Sequence, residues 1–198
     1  MKIALKGLVL AGGRSSRMGE SKAKMNWHGK EQQYYLADLL GFCCEEVFIS
    51  CREEQVLAIN SNYKTLADKY ENAGPFEAIL TAFEHDPNCG WMIIACDIPL
   101  IDLETLKHLS NQRDDSKIAT VFESPVDGLP EPLAAIWESE SYPKLKLYHQ
   151  KEHISLRKIL LTHQAKTIKA PNAGALINVN TPEDAKCVRE ILAKKGSI

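Results

Sequence analysis

No C-x-x-C pair occurs among the six cysteines (Cys43, Cys44, Cys51, Cys89, Cys96 and Cys187), which argues against a zinc ribbon or a disulfide framework. Four of them lie in or beside apolar segments, where a free thiol behaves as a small hydrophobe, so a reducing compartment is expected. No apolar run approaches the roughly 20 residues that a bilayer span needs. The opening segment MKIALKGLVLAGG lacks the long apolar stretch and small-residue cleavage site of a secretory signal, and it reads as a first strand. The expected address is therefore cytoplasmic, with no membrane partner. Charge of one sign is also scarce: 24 Lys and Arg stand against 26 Asp and Glu, a formal net charge of -2. No global field draws nucleic acid or an anionic surface, and the one basic stretch has no interleaved aromatics. Any anion binding must be local. Repeats, low-complexity tracts and linkers are absent as well, so the 198 residues read as a single domain spanning 1–198.

What the chain does have is alternation. Short apolar runs (GLVLAG, EVFISC, YKTLAD, WMIIACD, KIATVFE, PLAAIWE, AKTIKA and AGALINV) alternate with segments of helical period near 31–41, 53–60, 75–85, 102–111, 141–151, 155–163 and 181–194. This pattern predicts an α/β fold of three layers, Rossmann-like, with a mostly parallel sheet flanked by helices. WMIIACD is apolar almost throughout, as a central strand buried on both faces must be. The last helix carries its own start signal: Thr181 as N-cap, Pro182 in the first helical position, and Glu183 and Asp184 at the positive end of the dipole. The Pro- and Gly-dense stretch ESPVDGLPEP, 123–132, reads as a loop rim or a flap.

The first strand runs into LAGGRSSRMGESKAK, which gathers three glycines, three serines and four cations on one loop. Neither standard phosphate loop is present. A Walker A motif needs a glycine immediately before its lysine, and a dinucleotide fingerprint needs G-x-G-x-x-G, whereas Gly12 and Gly13 are adjacent. The elements still suit a phosphate chain. The strand ending at Leu10 and Ala11 delivers Gly12 and Gly13, whose backbone N–H groups can approach a ligand closely. Arg14, Arg17, Lys22 and Lys24 supply charge against a triphosphate, and Ser15 and Ser16 supply hydroxyls.

Asp97 stands just past WMIIAC, at the carboxyl end of the expected central strand, where α/β sheets bind ligands. Asp102 can cap the next helix, which leaves Asp97 free to hold Mg²⁺ against phosphate oxygens. Asn180 is a candidate for a second metal or substrate contact, or a structural part of the turn before the last helix. Asp68 ends the third strand. Its carboxylate can accept from the N1–H and N2–H of guanine or from a ribose, or it is a simple strand-end turn residue. Gly74 and Pro75 open a helix whose first turn is available to a nucleotide.

The stretch LAGGRSSRMGESKA resembles the nucleotide loop of the molybdenum cofactor guanylyltransferases, whose pattern is L-A-G-G-x-S-x-R-M-G-x-D-K. The resemblance continues through AGP, CDIPLI, EPLAAIW, SLRKIL and NVNTPED, in the family's order over essentially the whole chain. It implies the nucleotide-diphospho-sugar transferase type of fold and transfer of GMP from Mg-GTP to molybdopterin, with release of pyrophosphate. Arg17 and Lys22 then serve the triphosphate, Asp97 serves the metal, and Leu10, Ala11, Gly12, Gly13, Cys51, Asp68 and Gly74 complete the nucleotide site. Cys51 stands where the family commonly has asparagine, and Ser21 where it has aspartate. The implied partners are GTP and molybdopterin, with molybdoenzymes or cofactor-insertion proteins downstream. PEPLAAIW and ISLRKIL are expected to line the acceptor site, with Arg157 either meeting an acceptor phosphate or facing solvent. Two enzymatic alternatives remain: a cytidylyltransferase for the same cofactor, or a sugar-phosphate nucleotidyltransferase. A third, of another class, is a non-catalytic GTP-binding module that delivers cofactor.

Overall fold

A computed structural model describes residues 3–13, 21–70, 74–151 and 155–195 of the chain. Among the described residues seven strands form one sheet: β1 (Leu5–Leu10), β2 (Glu46–Cys51), β3 (Lys64–Ala67), β4 (Gly90–Ala95), β5 (Ala119–Glu123), β6 (Pro130–Trp137) and β7 (Lys166–Ile168). Their order is β3-β2-β1-β4-β6-β5-β7. Only β6 runs against its neighbours, pairing antiparallel with both β4 and β5; the other pairings are parallel.

GWMIIA sits at the middle of this order and is buried at every position, as its unbroken apolar pattern requires. Its side chains alternate between two cores. Met92 and Ile94 join Val9, Ile49, Leu36 and Leu40 on the face covered by α1 (Gln32–Leu40) and α3 (Leu103–Asn111). Trp91 and Ile93 join Leu8, Ile79, Phe83 and Ile159 on the other face, beneath α2 (Pro75–His85), α4 (Tyr142–Gln150) and α5 (Leu156–Thr162). Each such buried side chain contributes about 1.5–3 kcal/mol. A smaller cluster of Met25, Leu100, Val179, Ala185 and Val188 fastens α6 (Pro182–Lys195) to the segments that follow β1 and β4.

The helix starts follow their capping signals. Asp102 accepts from the Thr105 backbone N–H at 2.9 Å and opens α3. Thr181 Oγ1 accepts from Asp184 N, and the Asp184 carboxylate accepts in return from the backbone N–H groups of Asn180 and Thr181. Lys6, which interrupts the first apolar run, is neutralised by Glu46 and Asp86, both at 2.8 Å.

Two expected elements differ. AGALINV is not an eighth strand: Ala173–Leu176 is a 3₁₀ turn, nucleated by the Asn172 side chain accepting from Gly174 N at 3.0 Å. The run buries Ala175, Leu176 and Val179 without entering the ladder. The predicted helix at 53–60 is likewise a 3₁₀ helix, Glu53–Ala58, with no buried residue to extend it. The 123–132 stretch holds the β5–β6 hairpin connection, closed by Ser124 N donating to Leu129 O at 2.8 Å.

The order of the strands places the site. The chain steps outward from β1 through β2 to β3, then returns to the opposite side of β1 with β4. That reversal opens a crevice at the carboxyl ends of β1 and β4, where Leu10 and Ala95 are paired.

Candidate functional site

The ladder continues one residue beyond β1, with Ala11 N donating to Ser50 O at 3.0 Å, and then the chain leaves the sheet as Gly12 and Gly13. A Cβ on Gly12 would lie 2.7 Å from Asp68 Oδ2, so the residue must be glycine for the carboxylate to close on the loop. Asp68 is itself fixed: its backbone N donates to Cys51 O at 2.8 Å, and its Oδ1 accepts from the Ser50 hydroxyl at 2.7 Å. Burial pushes the Asp68 carboxyl above its ordinary value, and the Ser50 bond opposes that shift.

A cavity of about 210 Å³ lies between these groups. Leu10, Ala11, Gly12 and Gly13 form one side, and Asp68, Gly74 and Pro75 another. Lys22 and Asp97 face it from the β4 side, with Leu133 of β6 beside them. Gly74 caps α2, its N–H donating to the Glu77 carboxylate at 2.9 Å, so a helix N-terminus borders the cavity.

Asp97 comes two residues after β4 and is held by Val179 N, which donates to its backbone carbonyl at 2.7 Å. Lys22 Nζ donates to Asn180 Oδ1 at 2.6 Å and stands 3.7 Å from Asp97 Oδ2. Burial raises the Asp97 carboxyl, and the Lys22 ammonium pulls it back. The sequence-predicted residues Leu10, Ala11, Gly12, Gly13, Lys22, Asp68, Gly74 and Asp97 thus meet at one cavity, and Asn180 joins them through Lys22. Arg14 and Arg17, with the serines between them, lie outside the described residues.

Cys51 takes a different position. Successive strand side chains point to opposite faces, so Ser50 lines the cavity while Cys51 lines a separate cleft of about 40 Å³ with Lys24, Gln33 and Gln55. Burial pushes its thiol up to about 11. Sequence reading singled out Cys51 and passed over Ser50, although the two-residue period of EVFISC makes one the opposite of the other. Glu131 was also passed over. It lines a second cavity of about 160 Å³ that shares Asp97 and Leu133 with the first and adds Asn178 and Asn180. Arg157 is engaged rather than free in solvent: it donates to Asp127 Oδ2 at 2.8 Å and to Pro130 O at 3.1 Å, bracing α5 against the hairpin.

The cavity beside Asp97 also carries the Glu131 carboxylate and the amide oxygens of Asn178 and Asn180, donors that suit a hard divalent cation. Among the described residues no group of three or more His, Cys, Asp or Glu side chains could hold a metal. The half-buried Asp97 carboxylate on the cavity wall fits a cation whose remaining ligands come from phosphate and water.

A loop of adjacent glycines, a lysine and a half-buried carboxylate at the switch point of a mainly parallel sheet define a nucleotide-handling α/β protein. Residues 7–167 match the MobA-like NTP transferase domain, and the chain belongs to that family. It is thus a nucleotidyltransferase. It is 38% identical over 184 residues to a molybdenum cofactor biosynthesis bifunctional protein of Synechocystis, covering 91% of this chain and 52% of that protein's length. It is 29% identical to a probable molybdenum cofactor guanylyltransferase of Bacillus subtilis, covering 92% and 94%. The fold matches the crystal structure of molybdopterin-guanine dinucleotide biosynthesis protein A from Archaeoglobus fulgidus with a TM-score of 0.79, at 22% identity and over 96% and 99% of the two chains.

Proposed function

We propose that this chain transfers GMP from Mg-GTP to the terminal phosphate of molybdopterin, forming the guanine dinucleotide and pyrophosphate. The observation that carries this reading is the meeting of Lys22 and Asp97 across one cavity bordered by the Gly12–Gly13 backbone. The names borne by the relatives supply the base and the acceptor.

In this reading an acceptor phosphate oxygen attacks the α-phosphorus in line. The new O–P bond forms as the bond to the bridging oxygen breaks, and pyrophosphate leaves with that electron pair. The acceptor is already anionic, so no general base is needed and the chain's work is positioning and charge neutralisation. The Gly12 and Gly13 N–H groups and the α2 N-terminus receive phosphate or ribose oxygens. Lys22 moves from the Asn180 amide to the triphosphate, which the resemblance assigns to Arg17 as well. Asp68, oriented by Ser50, accepts from guanine or ribose donors. Asp97 holds the Mg²⁺, which when bound neutralises phosphate charge. Asn180, relieved of Lys22, offers its amide oxygen to metal or substrate. The product would then pass to molybdoenzymes or their insertion proteins.

Pyrophosphate release is to be measured with each of the four nucleoside triphosphates, Mg²⁺ and molybdopterin. Release with GTP alone, lost in Asp97→Ala, is the expected outcome. A preference for CTP would assign the chain to cytidylyl transfer, and GTP binding without any release would make it a non-catalytic module.

A further inference from the structure

The second cavity contains a carboxylate with little to do. Glu131 opens β6, its side chain is only 16% exposed, and it lines the same 160 Å³ space as Asp97, Asn178 and Asn180. Its Oε1 has one long contact, from Leu133 N at 3.4 Å. Its Oε2 is 3.7 Å from Arg157 Nη2, beyond hydrogen-bonding distance. Arg157 directs its good bonds elsewhere, to Asp127 and Pro130 O. A carboxylate can accept about four hydrogen bonds, so Glu131 keeps most of its capacity while largely removed from water. Burial raises its carboxyl; the Leu133 N–H and the Arg157 charge oppose that shift, and the Asp97 charge adds to it.

Such a group repels phosphate and attracts N–H donors. Of the acceptor's parts, the phosphate belongs near Lys22 and Asp97, and the heterocycle is the part rich in donors. The 2-amino-4-oxo pyrimidine edge of a pterin presents an amino N–H and a ring N–H side by side, at the spacing of the two oxygens of one carboxylate. We infer that Glu131 is the acceptor-specificity residue, taking the amino and ring N–H groups of the pterin in a bidentate pair within the cavity beyond Asp97. The inference rests on the acceptor assigned above. It also gives that acceptor a polarity, with its phosphate toward Lys22 and its ring toward the β5–β6 hairpin.

The test uses two free heterocycles that differ at one position. 6-Carboxypterin carries the 2-amino group, and 6-carboxylumazine carries a carbonyl there. Their affinities for the full chain are measured by fluorescence quenching, with Glu131→Gln and Glu131→Asp as variants. A carboxylate offers two acceptors and matches the pterin. An amide offers one acceptor and one donor and matches the lumazine. The wild-type chain should therefore prefer pterin by about tenfold or more, and Glu131→Gln should lose or reverse that preference. Glu131→Asp, with a shorter reach, should weaken pterin binding but keep the order. GTP binding should be unchanged in both variants, which separates a specificity role from a folding defect. Equal affinities in the wild type, no pterin binding, or an unaltered preference in Glu131→Gln would overturn the inference. Failure of the functional reading is visible separately, as absent pyrophosphate release from wild-type chain that still discriminates the two heterocycles.

Discussion

The two ends of the central strands each carry a partly or wholly buried ion pair, and the pairs are built differently. At the amino end Arg113 and Glu138, 6% and 0% exposed, form a bidentate pair with bonds of 2.8 and 2.7 Å. The remaining guanidinium arm donates to Ile3 O at 2.8 Å. Gly90 makes room, since a Cβ there would lie 2.6 Å from Arg113 Nη2. At the carboxyl end Lys22 and Asp97 are 23% and 28% exposed and 3.7 Å apart, and the short bond of Lys22 goes to a neutral amide. The first pair meets its needs within the chain and ties the start of β1 to β4 and β6. The second pair is looser and partly exposed on the cavity wall, where a phosphate and its cation can reach both charges. The tight, buried pair marks structure here, and the looser, partly exposed pair marks the site.

The largest expected effect comes from breaking the completed pair. Arg113→Ala strands a buried carboxylate and should cost about 3–5 kcal/mol of stability. A denaturant melt measures it. Turnover per folded molecule should stay unchanged, and a selective loss of turnover at full stability would erase the distinction between the two ends.

Asp97→Asn should do the reverse, lowering turnover by about 10²–10³-fold while leaving stability equal or higher. Folding raises this carboxyl above its ordinary 3.8, so the folded state favours the protonated form. The group's contribution to stability is therefore present below the unfolded value and is lost as pH rises through the folded one. Thermal melts of wild type and Asp97→Asn from acid to neutral pH should diverge as pH rises, the variant becoming the more stable. Divergence toward acid would contradict the desolvated state of Asp97.

The carboxyl-end half of this contrast was legible in the sequence, because charge on a glycine-rich loop and an aspartate after an apolar strand are local signals, whereas nothing in the sequence singled out Arg113 and Glu138. The α/β order was legible through its two periods. What stayed hidden depends on pairing. The Ser50 and Cys51 side chains point to opposite faces, and only the registers of β2 with β1 and β3 say which faces the cavity. AGALINV has the apolar content of a strand, but its first turn answers to the Asn172 side chain. Arg157 and Glu131 acquire their meaning from the β5–β6 hairpin, whose bulge between Val121 and Phe122 no residue type announces.

Gly12 sharpens the comparison on the ligand side. Alanine there places its methyl 2.7 Å from a buried Asp68 oxygen, and the carboxylate must give way. GTP affinity, read by calorimetry, should fall by about tenfold with a smaller change in stability, since the adjoining cavity can take up the displaced side chain.

The smallest effect tests whether Asp68 belongs with the partly exposed groups of the cavity. Ser50 is 1% exposed and gives Asp68 one bond of 2.7 Å. Ser50→Ala removes that donor and leaves the carboxylate on the cavity wall, at a cost of about 1 kcal/mol. The bond favours the charged form of Asp68, so its loss should raise the carboxyl further. The fall in GTP affinity should then be steeper at mildly acidic pH, where Asp68 protonates sooner, and should narrow toward neutrality. If affinity fell equally at all pH values, Ser50 would act on the ligand by itself and not through Asp68. A site carboxylate oriented by a neighbour, yet open toward the cavity, is the arrangement that Asp97 shares and that Glu138 lacks.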